Sequence, residues 1–487
     1  MLDNWIIVGD GAAALAALLG IAGLVGIGEG LRQKGVSAAT TRRLVHVGVA
    51  LFVTATPLLF RHPLPVYGLA MLFTVVNATA RARHWWAGIH AARPQSWGTV
   101  ALPLSVVPAL AVTWSVSPER IPIFQTAYLM LALADPVASW VGERRHPEAR
   151  ARASTWAGSL AFAAVAGAVA ALMMGGRGWG WEGLGVGAAV VLVATLAEAV
   201  SRHGWDNLSI ILAVLLVWVP FQEQVVSGGG LVVSGVLGGV FAGGAYWAQA
   251  LDGPGAATGG LFAMSLVALG GGPWVGPGLV FFGGASLLSG HGARGGKGLG
   301  DRRTQVQVLA NGGIAWGALG AVALGLMAPQ QGYAVFVGAL AAAAADTWAT
   351  ELGRFATRRP WGLWERARVP TGTSGAVSGR GTLAALGGAG SVVGTALWLQ
   401  GPFGGAPLAI GAVLLGAGMA GMAADSLAGA FLQARYRLPA SGALVETAPS
   451  ARATPVRGWA QIDNHAVNLI GTGTGAAVAL LGTAGIG

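Results

Sequence analysis

Ala345-Asp346-Thr347-Trp348-Ala349-Thr350-Glu351-Leu352-Gly353 closes an apolar run that begins near residue 333. An earlier run closes the same way, on Ala134-Asp135-Pro136-Val137-Ala138-Ser139-Trp140-Val141-Gly142. Both read A-D-x-x-A-[ST]-x-x-G, and on a helix the Asp, the hydroxyl four residues on and the Gly seven residues on share one face. A carboxylate inside an apolar helix is expensive to keep there, so each copy marks function. The chain therefore reads as two related multi-helix domains in tandem, 1–225 and 226–487.

Composition sets the class around these two stretches. Hydrophobic residues make up 54% of the 487, charged residues only 10%, and the mean hydropathy is +0.63 with 81 glycines. That is an all-α, polytopic transmembrane protein. Sixteen apolar stretches fall near 5–28, 44–60, 64–80, 99–116, 121–141, 157–174, 183–199, 207–219, 231–250, 256–270, 275–289, 306–327, 333–351, 381–400, 407–432 and 467–486. Those of 12 to 15 residues are short of the ~20 a span needs and read as half-helices.

If the N-terminus lies outside, 26 of the 29 Lys and Arg fall in inward loops and only Arg61, Arg120 and Arg177 fall outside. This is the asymmetry of the positive-inside rule, and it places the acidic motifs toward the cytoplasm of a bacterial cell membrane. The same loops, facing anionic lipid headgroups, account for the net charge of +10 and call for no nucleic acid. The chain has no cysteine, which excludes disulfides, a thiolate nucleophile and Cys metal sites. Met1-Leu2-Asp3 lacks a basic n-region, so no cleavable signal is expected.

In the first half, Arg42, Arg43 and His46 open a span at the inner surface and suit a phosphate as well as a headgroup. The loop at 81–97, with three tryptophans and several basic residues, reads as an interfacial anchor. Asp135 sits six residues inside the expected end of its span. Thr155-Trp156-Ala157-Gly158-Ser159 then starts a helix whose amides and hydroxyls, Ser159 among them, suit a phosphate or a plain cap. Glu198 closes a later span and Asp206-Asn207 opens the next, which with Asp135 suggests a metal-phosphate site.

Taken in order, R-R-x-x-H at 42, A-D-x-x-A-S-x-x-G at 134, T-W-A-G-S at 155 and E-x(7)-D-N at 198 resemble the phytol kinase and dolichol kinase family of CTP-dependent polyprenol kinases, relatives of the CDP-diacylglycerol synthases. The resemblance covers about 1–225. Ser154 stands where that family usually carries a lysine, with Arg152 two residues earlier.

The second half repeats the order. Gly290 to Arg303 is a glycine-rich basic loop with Lys297, Arg302 and Arg303, and lacks the P-loop spacing. Gln307, Asn311 and Gly312 follow it as polar company for an anion. Pro370-Thr371-Gly372-Thr373-Ser374-Gly375-Ala376-Val377-Ser378-Gly379 takes the place of T-W-A-G-S and offers amides and hydroxyls to phosphate oxygens. Asp425 corresponds to Glu198, and Asp463-Asn464, with Asn468 one turn on, repeats Asp206-Asn207.

The run from Phe281 to Ser289, R-R-T-x-x-Q-V-x-x-N-G-G at 302, A-D-T-W-A-T-E-L-G at 345, P-x-G-T-x-G-x-x-S at 370, D-S-x-x-G-A-x-x-Q at 425 and D-N-x-x-V-N at 463 resemble the phytyl-phosphate kinase family over about 230–487. The two resemblances together imply a bifunctional CTP-dependent isoprenoid kinase. A long-chain prenol would become its monophosphate in the first half and its diphosphate in the second, with Mg2+ as cofactor and CTP, the prenol, its phosphate and membrane lipids as partners. Asp135, Glu198, Asp346 and Asp425 are the expected catalytic acids. Those four, with Asp206 and Asp463, are the expected metal holders, because phosphoryl transfer needs carboxylate-held Mg2+ and cationic clamps more than covalent chemistry. Arg42, Arg43, Lys297, Arg302 and Arg303 are the expected clamps, joined by His46, Ser159, Thr373, Ser374, Asn464 and Asn468. Cytidylyl transfer to a phospholipid and lipid transport are the alternatives, the latter because repeats and glycine-broken helices also mark transporters.

Overall fold

The computed structural model describes residues 9–83, 96–145, 155–175, 180–292, 302–399, 401–403, 405–438, 442, 444–450 and 453–486. Among them are sixteen α-helices, and twelve helical segments are long and apolar enough to cross a membrane. The chain divides into two compact units, Met1–Val233 and Ser234–Gly487, eight residues beyond the boundary expected after 225.

Unit 1 contains α1 Asp10–Gln33, α2 Ala38–Leu59, α3 Leu64–Ala82, α4 Gly98–Val112, α5 Ile121–Arg145, α6 Trp156–Met174, α7 Gly180–Val200 and α8 Asp206–Gln222. The boundary falls inside α9, Gly228–Trp247. Helix α2 starts six residues before the expected 44 because Ser37 caps it, its hydroxyl accepting from Thr40 N at 3.2 Å. Arg42, Arg43 and His46 consequently lie in the first turns of α2 and not at its entrance. Helix α5, which carries Asp135, is the most buried span of the unit and packs on α2, α6 and α8.

Unit 2 contains α10 Gly253–Ser265, α11 Gly271–Gly292, α12 Gln305–Ala323, α13 Pro329–Gly353, α14 Gly379–Trp398, α15 Pro407–Phe431 and α16 Asn464–Thr483. Helix α13 is the central rod, buried from Gly332 to Ala345, and α11, α12, α14, α15 and α16 pack around it. Its run of alanines lets those neighbours approach to backbone contact. A Cβ on Gly388 of α14 would come within 2.6 Å of the Ala344 carbonyl, and one on Gly338 would meet Ala479 of α16 at 2.5 Å. Membrane helices, which gain little from apolar burial against each other, are held by such close packing.

The 13-residue α10 cannot span. It runs into a π-helical turn at Leu266–Gly270, and Gly271, at φ +64°, turns the chain back into α11. The start of α10 lies beside Arg303, since Asp252 N donates to the Arg303 carbonyl at 3.0 Å. The last third of α11 lies there too, because Arg303 Nη2 donates to the Ala285 carbonyl at 3.1 Å. The pair therefore returns to the end it left, and the alternation of loops expected from sixteen stretches is kept.

Within each unit the A-D-x-x-A-[ST]-x-x-G motif and the described ends of the loops expected to face inward gather at one end. In unit 1 the opposite end holds Arg61, whose backbone N donates to Asp10 Oδ1 at 2.7 Å, and Arg120, paired with Glu223 at 2.6 Å. Two short antiparallel sheets cover the motif end of unit 2. Trp361–Gly362 (β1) pairs with both Ala367–Arg368 (β2) and Ala376–Val377 (β3), while Tyr436–Arg437 (β4) pairs with Leu444–Val445 (β5).

Candidate functional site

A polar cavity of about 390 Å³ opens at the motif end of unit 2. Helix α13 contributes Asp346, Thr347, Thr350 and Glu351; α15 contributes Asp425 and Ser426; α16 contributes Asn464 and Asn468. Arg303, Gln307 and Asn311 line it from the start of α12, and Thr371 to Ser378 form a further wall. Seven residues singled out from the sequence thus meet in one place: Asp346, Asp425, Arg303, Thr373, Ser374, Asn464 and Asn468.

The carboxyl groups of Asp346 and Asp425 are in contact with each other. Asp425 Oδ2 is buried with no hydrogen-bond partner among the described residues. Two neighbouring carboxylates with an unused oxygen, in a lining that also carries the hydroxyls of Thr347, Thr350 and Ser426, offer oxygen donors. That fits Mg2+, which is held by one or two carboxylates and completes its shell with water and substrate phosphate.

The turn that faces these acids is built by its glycines. Gly372 at φ +88° and Gly375 at φ +74° take the left-handed backbone, and a Cβ on Gly375 would lie 2.5 Å from Ala430 N. The D-S-x-x-G-A-x-x-Q motif grips this turn. Gly429 leaves room for the Ser374 side chain, and Ser374 Oγ donates to Gln433 Oε1 at 2.5 Å. Arg435 donates to the Ser374 carbonyl at 3.3 Å and pairs with Glu446, another wall residue, at 3.3 Å.

On the opposite wall Thr304 and Gln307 form a capping box, Thr304 N donating to Gln307 Oε1 at 2.9 Å. Asn468 Nδ2 donates to Asn311 Oδ1 at 3.3 Å, which ties α16 to α12. Burial pushes the Arg303 guanidinium down from its ordinary value, an effect the Glu351 carboxylate opposes. Gly312 faces away from the cavity, against the Phe262 ring.

Three expected residues of this half are not part of the cavity's described lining. Asp463 caps α16, its Oδ1 accepting from Ala466 N at 2.9 Å. Arg302 bonds Gln249 and stands over the Tyr246 ring at 5.5 Å. Lys297 lies outside the described residues. Conversely, Thr382, Arg354 and Glu446 line the cavity without having been singled out. The Glu351 to Arg354 spacing, which permits their ion pair across one turn, was the available signal for Arg354.

In unit 1 the expected residues fall into smaller groups. His46 Nε2 donates to the Leu131 carbonyl at 3.2 Å and lies 3.5 Å from Asp135 Oδ2. Arg43 pairs with Glu143 and reaches Ser139 at 3.5 Å, so its charge is already engaged. Ser159 Oγ donates to Glu198 Oε2 at 3.4 Å. Asp206 is the first residue of α8 and accepts from Asn207 N at 3.0 Å. Arg42 donates to Ser96 Oγ at 3.1 Å, and Asn207 Nδ2 to the Gly98 carbonyl at 2.8 Å.

Neither expected acid trio assembles: among the described residues no three His, Asp or Glu converge on a metal position. In each trio the third acid serves the first turn of its own helix. Arg152 and Ser154 lie outside the described residues.

The units repeat one local arrangement. Thr155 caps α6 and accepts from Gly158 N at 3.2 Å; Ser378 caps α14 and accepts from Gly381 N at 3.1 Å. Gly158 packs on the Ala138 carbonyl and Gly381 on that of Ala349, each carbonyl three residues beyond its motif Asp. The counterpart of Thr155 to Ser159 is therefore Ser378 to Thr382. The expected stretch, 370–379, overlaps it at Ser378 and Gly379, and residues 370–377 form an additional wall that precedes it.

Residues 211–476, more than half of the sequence, match the family described as Integral membrane protein DUF92. The chain belongs to that family. No curated protein and no solved structure matches the chain. The match spans the whole polar cavity of unit 2 and begins within α8 of unit 1.

Proposed function

We propose that the chain is a CTP-dependent isoprenoid kinase, unit 2 converting a prenyl monophosphate to the diphosphate and unit 1 a prenol to the monophosphate. The observation that carries this reading is the meeting of Asp346, Asp425, Arg303 and the Thr371–Gly375 turn in one polar cavity at the motif end of unit 2. The resemblance of these motifs to phytyl-phosphate kinases supports the same chemistry. In it a phosphate oxygen of the prenyl monophosphate attacks the γ-phosphorus of CTP, the new P–O bond forms, and the bond to CDP breaks.

The residues of the cavity divide this work. Arg303 and the backbone amides of Ser374 and Gly375 would balance phosphate charge and hold the γ-phosphoryl group for in-line attack. Asp346 and Asp425 would hold Mg2+, which when bound screens the triphosphate. Asn464 and Asn468 orient one wall. In unit 1, Asp135 with His46, and Glu198 with Ser159, would serve the alcohol and its nucleotide.

The motif ends would face the cytoplasm, where CTP is found. The 26 to 3 division of Lys and Arg supports that orientation, as does the place of Arg61 and Arg120 at the far end.

Purified protein with labelled CTP, Mg2+ and a panel of prenols and prenyl phosphates tests the reading directly. CDP together with prenyl mono- and diphosphates is the expected outcome. Release of diphosphate with a CDP-lipid would replace it with cytidylyl transfer, and no nucleotide consumption with any lipid would overturn it.

A further inference from the structure

Unit 1 contains a second cavity of about 620 Å³, and its character is opposite to that of the polar one. Its walls are apolar side chains of α1 to α4, among them Val25, Phe52, Val53, Leu69, Ala70 and Leu102. One end is polar, with Arg42, His46, Asn77, Thr99 and Asn207. Along α2 the lining runs from Arg42 to Thr56, fourteen residues, or roughly 20 Å at the α-helical rise.

Three features decide what fills it. The polar end is mostly uncharged hydrogen-bonding groups, Asn77, Thr99 and Asn207, with His46 against the Asp135 carboxylate and one cation, Arg42, which donates to Ser96 Oγ. Groups of that kind suit a hydroxyl head. Secondly, Thr99 Oγ1 is buried without a hydrogen-bond partner among the described residues. Thr99 is the second residue of α4. A buried hydroxyl left unpaired costs free energy that a bound alcohol would recover. Thirdly, Leu19 and Leu72 line the cavity yet are well exposed on the outer surface, at 66% and 46%, and α1 buries only Ala17 and Gly28. A lipid tail can therefore pass between α1 and α3 from the bilayer without crossing water.

We propose that this cavity holds a single isoprenoid chain end-on, with the alcohol oxygen hydrogen-bonded to Thr99 at the polar end where His46 meets Asp135. A volume of this order suits one medium-length prenol, since drug-sized ligands occupy pockets of about 300–1,000 Å³. The inference rests on the reading of unit 1 as a prenol kinase, and its test reads binding without nucleotide so that the two can fail separately.

The full chain, reconstituted in phosphatidylglycerol vesicles, is irradiated with diazirine-tagged geranylgeraniol, and labelled peptides are mapped. Labelling of the α2 and α4 walls, displaced by unlabelled geranylgeraniol, is expected. Ala70→Phe, which fills the middle of the cavity, should cut it at least about tenfold. Thr99→Val should weaken competition by the alcohol about three- to tenfold, as the loss of one hydrogen bond predicts, and leave competition by the hydrocarbon lacking the hydroxyl unchanged.

A thermal midpoint in detergent equal to that of the wild type shows that each variant is folded. If Ala70→Phe fails that control, Thr99→Val alone decides. Labelling confined to the outer surface, indifferent to Thr99→Val, or displaced equally well by phosphatidylglycerol would overturn the proposal. Labelling of the walls without phosphorylation would keep the site and reject the kinase reading.

Discussion

Asp425 Oδ2, buried and unbonded beside Asp346, is the atom on which the proposed chemistry of unit 2 turns. Neutralising either acid removes a charged ligand from the triphosphate's counter-ion. Asp346→Asn and Asp425→Asn should each lower diphosphate formation by on the order of 10²-fold or more while the protein still purifies as a folded species. Turnover within a factor of a few of wild type in both variants would reject the assignment. Gly375→Ala tests the turn by a different route, since the new methyl meets Ala430 N and the backbone sits at φ +74°. It should cost at least about 1–2 kcal/mol, read as a lower thermal midpoint in detergent, together with loss of diphosphate formation. Single residues of this kind were legible in the sequence because acids and P-x-G-T-x-G glycines stand out against an apolar background. Asp463 stands out in the same way, and its Oδ1 accepts from Ala466 N as the cap of α16, outside the cavity's described lining.

At the scale of elements, the helices themselves were legible, because hydropathy alone separates apolar runs from the basic loops between them. Their ends were not. Helix α2 reaches back to Ala38 through polar residues that Ser37 makes helical, and hydropathy has no sensitivity to a cap. The short α10 and the π-turn after it were visible only as runs too brief to span. The register of the repeat was legible only in part: the stretch 370–379 includes Ser378 and Gly379, but the glycine-rich turn before them obscures that Ser378 to Thr382, by its packing on α13, is the counterpart of Thr155 to Ser159. This equivalence is testable. Ser378→Ala should cost about 1 kcal/mol through the lost N-cap and lower the thermal midpoint, whereas Ser378→Thr, the residue unit 1 uses, should restore it. Equal stability of all three proteins would show that the cap carries nothing.

For the whole molecule, each unit has its own acids, its own capped motif helix and its own cavity, which predicts separable steps. Asp135→Asn should stop conversion of prenol to monophosphate and spare conversion of added monophosphate to diphosphate; Asp346→Asn should do the reverse and accumulate monophosphate. Loss of both steps in Asp135→Asn would mean one shared site. Orientation is open to the same directness, since the chain has no cysteine. Ser374→Cys should resist an impermeant thiol reagent in intact cells and react once the membrane is opened. The tandem architecture was readable from the repeated motifs, but the apolar cavity was not, because a wall of Val, Leu and Phe spread over four helices has no sequence signature of its own.

The alanine-lined core of α13 has a consequence for how this protein tolerates change. From Ala339 to Ala345 every residue but Leu340 is alanine, all are buried, and the neighbouring helices touch their backbones. One transition turns an alanine codon into valine or threonine, and either adds bulk where overpacking costs about 1–3 kcal/mol. A random-mutagenesis library should therefore be depleted along this stretch as heavily as at Asp346. A map of such depletion would mark as catalytic a segment whose only duty is to be thin.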